Sequence, residues 1–178
     1  MIRTLALASA ATLLVASAAP AMAQSYRPGP PPPAVSTRDF VTTAAQSDEF
    51  ERRAGRLAQT MALSHRVRDF GGMMVQAHTQ TTRGLQDAIR KSGRPVPPLP
   101  PLTGAQQGML AQLRNAGRGF DFVYLRQQVQ AHQEALGLMQ GYARSGDNPF
   151  IRDAARSTVP VVQQHLKMAQ DLQATVRR

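Results

Sequence analysis

The chain has 178 residues, a formal net charge of +10, and no cysteine. The missing cysteines exclude disulfides, thiolate metal sites and lipoprotein acylation, so packing must hold the fold together. The basic excess favours anionic partners, and scattered charges with few aromatics do not make a nucleic-acid surface.

Residues 1–23 read as a signal peptide: Arg3 supplies the positive start, Leu5 to Ala18 is apolar, and Ala21-Met22-Ala23 is a small-residue cleavage site. The apolar run is shorter than the ~20 residues that span a bilayer. The mature protein is therefore expected to begin near Gln24, periplasmic or secreted, with no transmembrane anchor. Its anionic partners would then be envelope surfaces such as lipid headgroups, with nucleic acid not expected. Residues 24–36 form a proline-rich flexible leader, because Pro28 and Pro30 to Pro33 bar helix and sheet. Residues 37–178 are expected to form one domain.

Apolar residues recurring at helical spacing predict four long helical segments. The first runs from about Asp39 to Leu63, with Ser36 or Thr37 as N-cap and Phe40, Ala44, Ala54, Leu57, Ala58 and Met61 on its stripe. The second runs from about Ser64 to Lys91 through Val67, Phe70, Met74 and Leu85, and Ser92-Gly93 ends it. Five prolines between Arg94 and Leu102 make a connection. Thr103 and Gln106 then match a capping box, and Gly117 and Gly119 divide the third segment into a short helix and a long one from Phe120 to about Arg144. Asn148 caps the last helix and Pro149 opens it; Pro160 lies inside and predicts a kink.

Four polar residues fall on or beside the apolar faces, one on each long helix: Glu51, His78, His132 and His165. At ~100° per residue, Glu49 and His65 point away from those faces. Glu51 and His78 are equally far from the first turn, and His132 and His165 straddle the Asn148-Pro149 turn. The midpoint of His78 and His132 falls beside the proline-rich connection. One layer of a bundle can therefore hold all four. Buried Glu is rare without a partner, so this convergence needs a reason.

Three imidazoles and a carboxylate suit Zn, Fe, Mn or Cu(II). The Glu-x-x-His spacing of di-iron sites is missing, since Val75, Val129 and Val162 stand three residues before the histidines, so the pattern favours one ion over two. A metal-free Glu-His hydrogen-bond cluster is the alternative. Asp121, Tyr124 and Gln128 also lie on the inward side, with Asp121 expected to cap the helix restart after Gly119. The six methionines after residue 23 sit at helical spacing and read as core.

The series Phe40-x3-Ala44-Ala45, Glu51, Gly55-x-Leu57-Ala58, Phe70, Met74-Val75-x2-His78, Phe120-Asp121-x2-Tyr124, His132 and Pro160-x4-His165-Leu166 resembles the exported bacterial domain of unknown function 4142. The resemblance implies a ferritin-like, all-α antiparallel four-helix bundle of the cell envelope and carries over Glu51, His78, His132 and His165 as recurrent polar positions. It brings no established activity. Two departures stand out. Ala77 replaces the family's common Asp, which removes an obvious carboxylate support for His78, and Gly71-Gly72 replaces better helix formers.

The residues leave three functional readings. The first is a bundle that binds one transition-metal ion through the four residues for metal handling or stress protection. The second is a metal-free envelope interaction protein using its basic surface and leader. The third, a metal-dependent oxidoreductase, requires an open coordination position.

Overall fold

A computed structural model describes residues 36–176. The signal-peptide and leader expectations for residues 1–35 lie outside the described residues. Five α-helices make up the domain: α1 (Thr37–Met61), α2 (His65–Lys91), the short α3 (Gly104–Arg114), α4 (Phe120–Ser145) and α5 (Pro149–Thr175), with a 3₁₀ turn at Gly117–Gly119 before α4. No strand occurs among the described residues.

The local signals explain these bounds. Thr103 accepts from the Gln106 N–H while the Gln106 side chain accepts from the Thr103 N–H, the full capping box. Asn148 accepts from the Ile151 N–H ahead of Pro149 at the first turn of α5. Gly117 turns the chain between α3 and α4 at a φ of 52°, which a side chain would disfavour. Helix α5 continues through Pro160, whose ring lies on the exposed side. Ser36 occupies the N-cap position of α1 but makes no side-chain cap bond.

Two aspartates set how the long helices align. Asp121, at the start of α4, accepts from the backbone N–H groups of Leu63 (2.9 Å) and Ser64 (2.8 Å) in the α1–α2 turn. It thus holds another helix pair's turn rather than capping its own helix, which is a correction to the sequence expectation. The α1–α2 turn has two exposed donors with no helical partner, and they outcompete the start of α4 for the carboxylate. At the opposite end, Asp147 accepts from the Thr37 N–H (3.0 Å) and hydroxyl, and Tyr142 reaches the same Thr37 hydroxyl at 2.6 Å.

These clasps make α4 antiparallel to α1 and therefore parallel to α2. The 94–103 connection and α3 return the chain from the end of α2 to the other end of the bundle before α4 begins. The result is a four-helix bundle with one long crossover, in which adjacent long helices are antiparallel and the diagonal pairs parallel.

The core is in two parts. One cluster holds Phe50, Phe70, Met74, Leu113, Phe120, Tyr124 and Leu125; the other holds Phe40, Ile89, Met139, Tyr142, Ile151 and Val162. Among the first cluster's residues Ala54, Ala58, Phe70 and Met74, on the α1–α2 seam, Gly55 and Gly71 bring two backbones together. A Cβ on Gly71 would sit 2.7 Å from the Ala58 Cβ and 2.8 Å from the Gly55 carbonyl oxygen. This contact explains Gly71, one of the two glycines that depart from good helix formers. Nothing in the structure requires Gly72, whose added Cβ would meet only the flexible end of Gln59.

Candidate metal centre

The polar layer lies where the core divides. Glu51, His78, His132 and His165 are all buried, with Glu51 and His132 each 1% exposed. The three imidazole rings form a nearly equilateral triangle, with centroids 5.6 Å apart for His78 and His132, 5.7 Å for His78 and His165, and 5.5 Å for His132 and His165. One nitrogen from each ring lies within 4.8 Å of the others. Glu51 is in the layer but outside that group: its Oε1 lies 4.0 Å from His132 Nδ1, and its Oε2 accepts from the Gln128 amide at 2.7 Å.

Two rings are oriented from behind. His132 Nδ1 donates to the Gln128 backbone carbonyl at 2.8 Å, which assigns the proton to Nδ1 and leaves a lone pair on Nε2 in the neutral ring. His78 Nδ1 is 2.8 Å from Asp48 Oδ1, and Asp48 also accepts from the hydroxyls of Thr81 and Thr82. Carboxylate and carbonyl partners of this kind hold metal-binding imidazoles in the required tautomer. The outer sides of His78 and His132 are therefore satisfied. His78 Nε2, His132 Nε2, His165 Nδ1 and Glu51 Oε1 are buried without a hydrogen-bond partner. Four such atoms in one layer need an explanation, because each forgoes solvation.

Asp48 corrects the expectation that His78 lacks a carboxylate. The missing support at residue 77 is supplied across the helix interface from α1. Asp48 lies three residues before Glu51, on the same face, and that spacing is the signal the sequence offers. Glu49, expected to point away, is 8% exposed but lies among the guanidinium groups of Arg52 and Arg53, at 2.5 and 2.6 Å. His65 is exposed.

The charges in the layer are coupled. Burial raises the Glu51 pKa to about 7, partly offset by His78 and the Gln128 hydrogen bond. Burial lowers His132 to about 4, and the nearby His78 charge adds to the effect. Burial, followed by the charges of His78 and His132, lowers His165 to about 3. Burial also opposes charge on His78, but the Asp48 hydrogen bond and the charges of Glu51 and Asp48 outweigh it and raise its pKa.

These shifts make stability depend on pH. Raised pKa values at Glu51 and His78 contribute stability that is present below their unfolded values and lost as pH rises through the folded ones. Depressed values at His132 and His165 contribute stability that is present above the unfolded value of 6.5 and lost as pH falls. Between 4.5 and 6.5 the unfolded chain carries protons on both of these histidines, whereas the folded layer carries one on Glu51. Unfolding then takes up protons, and stability rises with pH. Above 6.5 the balance reverses, because the folded state still holds protons on Glu51 and His78. Chemical denaturation with chelator present should therefore show maximal stability near pH 6.5; a steady rise from pH 5 to 8 would contradict these assignments.

The residues fit a metal ion. Metal–imidazole bonds of ~2.0 Å place tetrahedral nitrogens ~3.3 Å apart, so the rings would close inward by roughly 1 Å. Their donors are unprotonated or readily made so, and their outer partners are in place.

The fold is shared with CopM, solved in the Cu(II)-bound form, at a TM-score of 0.67 and 13% identity, covering 80% of this chain and 98% of that one. Among curated proteins, none matches. The family model described as "Domain of unknown function (DUF4142)" matches residues 20–172, almost all of the chain and every residue of the polar layer, and the protein belongs to that family.

Proposed function

We propose that the protein binds one transition-metal ion through His78, His132 and His165, with Glu51 supplying the balancing negative charge and a fourth donor, and that it handles metal in the cell envelope. The observation that carries this reading is the convergence of three buried imidazole nitrogens, each without a protein partner, two of them on rings already oriented from behind. A bound ion would supply the electron-pair acceptor these nitrogens lack. The signal-peptide pattern supports an envelope location, and no described helix is long and apolar enough to cross a membrane. The fold shared with Cu(II)-bound CopM makes Cu(II) the first ion to test, with Zn, Fe and Mn alongside.

The test is metal analysis of the mature protein recovered from the periplasm, beside the H78A/H132A/H165A variant. The wild type should carry about one ion and the variant almost none. Equal substoichiometric metal in both would leave the metal-free Glu-His cluster as the reading. Uptake near neutral pH should also release protons from His78 and Glu51, so affinity should rise with pH through 7.

A further inference from the structure

The two sides of the polar layer differ. Toward the α1–α2 turn, Met74, Ala54 and Ala169 are fully buried and the Gly55–Gly71 contact closes the seam between two backbones. Toward the Thr37 end lies a cleft of about 270 Å³, room for several water molecules. Its lining continues the faces that carry the layer: Thr81 is three residues beyond His78, Val161 four before His165, and Met139 seven beyond His132. Asp48 also lines it and is hydrogen-bonded to His78 Nδ1.

The charge of this lining is the second observation. The chain has 21 Lys and Arg residues against 11 Asp and Glu, yet the cleft is lined by no basic residue and by one acid, Asp48. Its other polar groups are neutral, from Gln80, Thr81, Ser157 and Thr158. The chain as a whole repels a cation through its net positive charge, whereas in this cleft a cation meets hydroxyls and then a carboxylate. A smaller cavity of about 90 Å³ also touches Asp48, but it lies between α1, α2 and the proline-rich connection, away from α5.

From these observations we propose that the cleft between α2 and α5 is the port through which a divalent transition-metal cation reaches the three histidines, with Asp48 as its first charged contact. The proposal rests on the metal-binding reading above and adds the route. Small residues keep the port open: Ala77 and Gly84 on α2, Ala154 and Ala155 on α5. Gly84 has nothing within 4 Å of an added Cβ, so a large side chain can be placed there without displacing the helix.

The experiment is stopped-flow uptake of Cu²⁺, read by quenching of tyrosine fluorescence in this tryptophan-free chain, with affinity measured separately at equilibrium. Gly84→Leu should slow uptake and release together by roughly tenfold or more while leaving Kd unchanged. Gly137→Leu, equally unobstructed on α4 and outside the cleft, should take up Cu²⁺ at the wild-type rate. Ala154→Met on the opposite wall should repeat the effect and serves if Gly84→Leu folds poorly. Wild-type rates in both cleft variants, or equal slowing in Gly137→Leu, would overturn the port while metal binding stood. No Cu²⁺ uptake by the wild type would end both readings for this ion.

Discussion

Replacing Asp48 with Asn should weaken metal binding 10- to 100-fold with the fold intact, the range seen when the group behind a ligating imidazole is lost. Asp48 receives three donors, His78 Nδ1 and the hydroxyls of Thr81 and Thr82, in a site 7% exposed. The amide keeps an acceptor for His78, so the ring should stay in position. What is lost is the negative charge that makes Nε2 a stronger donor. Asp87→Asn on α2 is the control: its carboxylate is exposed and paired with Arg90, so affinity should change less than about twofold. Competition titration against a chelator measures both, with circular dichroism to verify folding. Equal affinities in Asp48→Asn and the wild type would show that His78 is not a ligand or gains nothing from the Asp48 charge.

The second large effect concerns adjacent glycines that should respond with opposite signs. Gly71→Ala forces a methyl against the Ala58 side chain and the Gly55 carbonyl, at 2.7 and 2.8 Å before any adjustment. Overpacking of this kind costs about 1–3 kcal/mol, against which the gain in helix propensity returns up to ~1 kcal/mol. Gly72→Ala meets a flexible amide at 3.1 Å and should be neutral or stabilising by up to ~1 kcal/mol. Thermal melts should therefore move in opposite directions, by about 2–4 °C per kcal/mol. Gly71→Ala should also weaken metal binding, since separating α1 from α2 draws Asp48 away from His78. Destabilisation by Gly72→Ala equal to that of Gly71→Ala would mean that helix crowding is not what selects glycine at 71.

Helix faces are legible in the sequence because apolar spacing reports them directly. That spacing places Glu51, His78, His132 and His165 inward and His65 outward. The shared height of His78 and His132 arises by a different route from the one their sequence positions suggest. Their midpoint at the proline-rich connection suggests a hairpin, yet α2 and α4 are parallel. The heights agree because Asp121 anchors the start of α4 at the start of α2, so both histidines lie similar distances from one end. A carboxylate gripping a remote backbone turn leaves no periodic signature, and the apolar pattern does not distinguish a hairpin from a crossover.

Asp48 is illegible for a related reason. It stands in the run Asp48-Glu49-Phe50-Glu51, where spacing can tell which acids share a face but not which of them meets an imidazole on another helix. Beside His78 in sequence stands Ala77, which offers no carboxylate. The three-dimensional neighbour lies 30 residues earlier.

The two aspartate clasps carry one more consequence. Both fix the helices at their ends, Asp121 at the α1–α2 turn and Asp147 at Thr37, and neither touches the polar layer. The bundle thus behaves as a frame with a slot of constant height: side chains in the slot can be exchanged without the helices sliding past one another. An ancestral or redesigned chain could refill positions 51, 78, 132 and 165 with a different donor set and keep the frame.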